Sequence, residues 1–134
     1  HNQRGREHHD VIDDITSGFI TSLSVCDSAG VDSAKLILDP GFGFGWSVSQ
    51  NLEILRRLPE LVHLELPLLI GTSKKSSIGT VLGSRVGERL FGTAATVAHA
   101  ICAGIDVVRI HDGSEMRDVV TMSDAIVRQR GSVG

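Results

Sequence analysis

Tyrosine is absent from the 134-residue chain and tryptophan occurs once. No Ser, His and Asp arrangement supplies the setting of an activated hydroxyl nucleophile. Only two cysteines occur, Cys26 and Cys102. They lie far apart in segments that read as helix, with no short-spaced companion, which excludes a zinc site or a redox pair and predicts reduced, partly buried thiols. Basic charge is not in excess: 13 Lys and Arg stand against 16 Asp and Glu, for a formal net charge of -3. The basic residues are dispersed, so there is no stripe of the kind duplex nucleic acid requires, and nucleic acid is not an expected partner. No apolar run approaches the roughly 18 residues of a membrane span, and His1-Asn2-Gln3-Arg4-Gly5 is no signal peptide. A cytoplasmic protein without membrane contact is expected. The chain opens on histidine rather than methionine, which implies that something upstream was removed or left unread.

What is present suits a single soluble segment, 41% apolar and 22% charged, without a linker or low-complexity tract. An α/β barrel needs roughly 250 residues, so a barrel would make this chain about half of one. Three apolar runs, Leu36-Ile37-Leu38, Leu66 to Ile70 and Ile105 to Ile110, are continuous rather than alternating, as in parallel strands covered on both faces. Helical patterns surround them. From Asp10 to Ala29 the residues Val11, Ile15, Phe19, Leu23 and Cys26 fall on one face, with Asp13 and Asp14 near the start and Gly30 as a stop. Leu52, Leu55 and Leu58 mark a second helix that Pro59 ends or tightens. Ser76 to Leu82, Thr93 to Ala103 and Ser114 to Arg128 complete the set, the last with Ser114 as the expected cap. Such alternation predicts a parallel sheet with right-handed crossovers and a frayed tail at Gly131 to Gly134.

Polar residues gather after the three strands, where parallel α/β folds bind ligands. The first strand runs into Asp39-Pro40-Gly41-Phe42-Gly43-Phe44-Gly45. Alternate glycines let the backbone turn and approach a ligand, and the phenylalanines offer flat apolar surfaces. Asp39 is either an acceptor for a guanidine-like edge or a turn aspartate that bonds its own backbone. The second strand leads into Gly71-Thr72-Ser73-Lys74-Lys75-Ser76-Ser77-Ile78-Gly79. Hydroxyls, two lysines and a helix start suit a carboxylate or phosphate; alternatively Ser73 caps the helix and the lysines are solvated. The third strand puts Val107, Arg109 and His111 on one face, a second candidate anion clamp unless Arg109 is paired with Asp106 or Asp112. His8, His9, Asp10, Asp13 and Asp14 fit a charged helix start better than a metal cluster. His63 and His99 read as surface or satisfied core histidines, and Trp46 suits packing as well as stacking on a ligand.

Taken in order, DPGFGFG at Asp39 to Gly45, GTSKKSSIG at Gly71 to Gly79, GTAA at Gly92 to Ala95 and RIHD at Arg109 to Asp112 resemble the later motifs of the dihydropteroate synthase family. His1 resembles the histidine that ends that family's fifth strand. The resemblance implies a (β/α)8 TIM barrel, of which residues 1–134 form the C-terminal portion, about the last three βα units and the preceding helix. It implies condensation of 6-hydroxymethyl-7,8-dihydropterin pyrophosphate with p-aminobenzoate, by a complete barrel that is a homodimer, with the isolated segment inactive. By that similarity Asp39, Gly71 and Lys75 would meet the pterin. Phe42, Phe44, Lys75 and Ser76 would form the p-aminobenzoate slot, and Arg109 and His111 would hold the departing pyrophosphate. Lys75, Arg109 and His111 are thus the implied catalytic groups. Magnesium would assist, its ligand lying upstream and no metal ligand lying in this segment.

The family usually has arginine where Lys74 stands and lysine where Trp46 stands. Its first-strand asparagine, two mobile substrate loops and earlier pterin-binding aspartate and asparagine would all precede His1. Two other readings are the pterin-binding domain of a methyltetrahydrofolate-dependent methyltransferase, against which the lysine-serine helix start and RIHD argue, and a non-catalytic half-barrel.

Overall fold

In the computed structural model, which describes residues 9–128, the first helix begins where the aspartates predict. Asp10 has extended backbone, and its carboxylate accepts from the amides of Ile12 and Asp13. Helix α1 runs over Val11–Ser28 and buries Val11, Ile12, Ile15 and Phe19. Leu23 is only partly buried and Cys26 half-buried. Gly30 follows with a left-handed backbone (φ 77°), which closes the helix end.

After a short 3-10 turn at Ser33–Lys35, helix α2 spans Val48–Arg56 behind a reciprocal cap between Ser47 and Gln50. Its buried residues are Asn51, Ile54 and Leu55, whereas Leu52 is 37% exposed. The apolar face is therefore set by positions 51, 54, 55 and 58 rather than by Leu52. Pro59 does not end this helix. It stands in the first turn of a separate helix α3, Leu58–Val62, where a residue without an N–H donor is tolerated.

Strand β1, Leu69–Ile70, pairs in parallel with β2, Val107–Val108, in the register Leu69 to Val107 and Ile70 to Val108. Leu38 joins the other edge through a parallel bridge to Leu68, so the first apolar run contributes one paired residue rather than a full strand. All three chain segments run the same way in sequence order, as the alternation predicts. Helix α4 covers Ser76–Leu82, as expected. After a 3-10 turn at Val86–Glu88, α5 covers Leu90–Cys102 and α6 covers Gly113–Val127. The residue before α6 is Asp112, and Ser114 does not cap: its hydroxyl donates to the adjacent Glu115 carboxylate and draws that carboxyl below its usual range.

Period-2 geometry sorts the sheet into two faces. Leu38, Leu68 and Ile70 are buried and Val108 and Ile110 partly so; all join one core with the helices. On the opposite face Ile37 is 54% and Val107 36% exposed. Among the described residues helices cover one sheet face, against the expectation of two. Cys102 is exposed rather than partly buried, and both cysteines are free thiols. Among the described residues no helix is long and apolar enough to cross a membrane. His1, His8 and the Gly131 to Gly134 tail lie outside the described residues.

Candidate functional site

Directly after Leu38 the chain leaves the sheet at Asp39. One carboxylate oxygen accepts from the Gly41 amide at 2.8 Å, so the turn-aspartate reading holds for that oxygen. The other lies 3.7 Å from Nη1 of Arg109, which stands just past β2 on the same sheet face. This contact is too long for a good N–H···O bond and both side chains are substantially exposed, so it contributes about 0–1 kcal/mol and opens at little cost. Arg109 pairs neither with Asp106, whose carboxylate accepts from the Leu68 amide, nor with Asp112. Nor is it buried, its side chain being 54% exposed. Gly71, just past β1, lies under it: a Cβ there would stand 2.6 Å from the guanidinium. Sequence position alone does not reveal that requirement for glycine.

Lys75 folds back over the loop from Asp39 to Gly45. Its stem lies so close to Gly43 (φ 79°) that a Cβ would sit 2.8 Å from Cδ, and its ammonium rests 3.8 Å from the centre of the Phe44 ring. Phe44 is 63% exposed. Phe42 differs: at 2% exposure it packs into the core and lines an apolar cavity of about 160 Å³ between α2, α4 and α5, so it offers no flat face to the strand tips. Ser76 is exposed in the first turn of α4. Asp39, Gly71 and Arg109 thus meet at one end of the sheet, and Lys75 leans over the loop that Asp39 opens.

The side chains behind them were not evident beforehand. Asn51 is 2% exposed and ties three segments together. Its oxygen accepts from the Gly43 amide at 2.8 Å, while its amide nitrogen donates to the Trp46 carbonyl at 3.2 Å and to the Ser77 hydroxyl at 3.0 Å. The signal was present, since Asn51 is a polar residue on the apolar stripe of α2. Trp46 packs against the core and its Nε1 donates to the Pro40 carbonyl. Lys74 has a left-handed backbone (φ 56°). Its amide donates to Thr93 Oγ1 at 3.1 Å and its carbonyl accepts from Arg89 at 2.9 Å, which holds the turn that presents Lys75. Its own ammonium pairs with Asp112 at 3.1 Å, linking the second and third strand tips.

Ser73 is no cap; Lys75 occupies that position, without a side-chain bond. Ser73 is instead buried, and its hydroxyl oxygen lies 3.1 Å from the backbone nitrogen and 3.0 Å from Nδ1 of His111. His99 Nε2 lies 2.7 Å from the Leu55 carbonyl, a satisfied histidine, and His63 is exposed. Asp10 caps α1 and pairs with Arg57 at 2.6 Å. Among the described residues no group of three or more His, Cys, Asp or Glu side chains is disposed to hold a metal ion.

Loops at the carboxyl ends of the parallel strands, with a carboxylate and positive charges brought together there, define a parallel α/β protein whose polar residues lie at the end where such folds hold ligands. The chain belongs to the pterin binding enzyme family, whose model matches residues 1–111. It is 39% identical over 123 residues to the dihydropteroate synthase of Escherichia coli (strain K12), covering 92% of this chain and 44% of that protein. The crystal structure of dihydropteroate synthase from Clostridium difficile in the presence of pteroic acid is similar with a TM-score of 0.88 and 46% identity. The similarity covers 96% of this chain and 49% of that one. The Xanthomonas albilineans enzyme with 4-aminobenzoic acid gives a TM-score of 0.85 at 32% identity, over 98% of this chain and 48% of that one. The chain spans less than half the length of the curated relatives it matches.

Proposed function

We propose that this chain is the C-terminal portion of a dihydropteroate synthase, supplying about the last three βα units of a (β/α)8 barrel. The complete enzyme condenses 6-hydroxymethyl-7,8-dihydropterin pyrophosphate with p-aminobenzoate. The observation that carries this reading is the gathering of Asp39, Gly71, Lys75 and Arg109 at one set of strand tips.

Asp39 has one oxygen fixed by its own turn and the other in a loose contact with Arg109, so a pterin's aminopyrimidine edge can take the second oxygen and release the arginine. Gly71 leaves room for both. Lys75 and Phe44 form one side of the arylamine slot, with Ser76 in the first turn of α4 toward the carboxylate. As the carbon–oxygen bond of the pterin pyrophosphate breaks, charge grows on the leaving oxygen, and Arg109 and His111 receive it. The arylamine nitrogen then forms the new carbon–nitrogen bond and gives up a proton. No protein nucleophile is needed. Residues that would hold magnesium belong to the N-terminal half, where the ion would help to neutralise the departing pyrophosphate. A homodimer in the cytoplasm completes the reading; Phe91, Val81 and Leu82, which are 86%, 56% and 55% exposed around α4 and α5, suit a covered surface.

Turnover by the full-length protein tests it. Lys75→Ala and Arg109→Ala should each lower kcat/KM for the two substrates by at least about a hundredfold, as losing a group that stabilises developing charge does. Parental rates in both variants would refute the assignment.

A further inference from the structure

Ser73 and His111 share one short contact whose hydrogen-bond roles the geometry decides. Ser73 is buried, with 3% of the residue exposed, so water is not at hand to complete its bonding. His111 sends it two nitrogens. The backbone N–H, 3.1 Å away, can only donate, which uses one acceptor site on the hydroxyl oxygen. Nδ1, at 3.0 Å, can donate or accept. Were Nδ1 protonated, both nitrogens would donate to the same oxygen, and the hydroxyl proton would be left buried with no acceptor, the costly outcome for a polar group. With Nδ1 unprotonated the hydroxyl donates to it, and every group in the contact is satisfied.

We infer that Ser73 is a positioning residue that fixes His111 as the Nε2–H tautomer, so that the ring nitrogen away from Ser73 is the N–H donor for a ligand anion at the strand tips. Ser73 touches no reacting atom; it acts through the ring that it orients. Its buried place in the loop after β1 binds that loop to the end of the third strand, beside the Lys74–Asp112 pair. That the anion is the departing pyrophosphate rests on the synthase reading above; the tautomer does not.

The two parts separate in one set of measurements on the full-length protein labelled with 15N-histidine, above the pH at which its histidines protonate. Long-range proton–nitrogen correlations, with His111→Gln identifying the signal, should show a protonated Nε2 and a bare Nδ1 in the parent. Ser73→Ala should shift both nitrogens toward a mixture of tautomers, and Ser73→Thr, which keeps the hydroxyl, should retain the parental pattern. A protonated Nδ1 in the parent overturns the inference without recourse to any variant, as does a parental pattern in Ser73→Ala. In turnover, Ser73→Ala should lower kcat by roughly tenfold with a smaller change in KM for p-aminobenzoate, and Ser73→Thr should recover it. Absence of turnover in the parent would remove the synthase reading and leave the nitrogen signals to decide the tautomer.

Discussion

At the residue scale, Arg57 shows how one side chain joins distant segments. Its Nη1 lies 2.6 Å from Asp10 at the start of α1, and its Nε and Nη2 make a two-pronged contact with Glu60 at 2.6 and 3.0 Å. The hydrogen bonds to Glu60 and Asp10 hold the arginine protonated well above its usual range. In return Arg57 draws the carboxyls of Asp10 and Glu60 below their ordinary values of 3.8 and 4.5. A depressed carboxyl stabilises the fold fully above its unfolded pKa and loses that contribution as pH falls through the lower, folded value. The parent's advantage over Arg57→Met should therefore be greatest above pH 4.5 and shrink in acid, as urea unfolding of the full-length protein at a series of pH values would measure. An advantage that does not vary with pH would contradict it. Gly71 is constrained by its neighbour in a different way. A methyl group there meets the Arg109 guanidinium, so Gly71→Ala should displace it and weaken pyrophosphate binding by about tenfold, the loss of one charge-assisted contact. Calorimetric titration with pyrophosphate reads the change directly, and parental affinity would show that the arginine moves aside freely.

At the scale of elements, α4 and α5 are set by their closest approach. A Cβ on Gly92 would overlap the Ile78 side chain and stand 2.8 Å from Leu82, so only glycine lets the two helices lie this near. Gly92→Ala should lower the stability of the full-length protein by about 1–3 kcal/mol, the range for overpacking a fitted contact. Denaturant midpoints would check it, and an unchanged midpoint would mean that the helices separate at no cost. The same pair explains GTAA: Gly92 allows the approach and Thr93, fully buried, reaches back to the Lys74 amide. As a motif these residues were visible in the sequence, but their purpose was not, because it depends on a turn 19 residues earlier in the chain.

Across the fold, the decisive feature is a sheet that the described residues cover on one face and leave open on the other. Leu38, Leu68 and Ile70 lie under helices, while Ile37 and Val107 face outward and are more than a third exposed. Parallel strands are ordinarily covered on both faces, and an open sheet edge invites pairing with another chain. The 134 residues expressed alone should therefore aggregate beyond a dimer and bind dyes that report exposed apolar surface, whereas the full-length protein should stop at a dye-silent dimer. Light scattering on both would decide it, and a stable, dye-silent monomer of the segment would contradict it.

The order of elements, the start of α1 at Asp10, the whole of α4 and the three strand tips where polar residues gather were all legible in the amino-acid order. These follow from period and local capping, which act within a few residues. It took the packed fold to bring Arg109 to Asp39, to turn Phe42 into the core while Phe44 stays exposed, and to give Ser73 to His111 rather than to a helix cap. Such choices depend on which segments pack side by side, and local propensity carries no information about partners 38 residues away, the separation of Ser73 and His111.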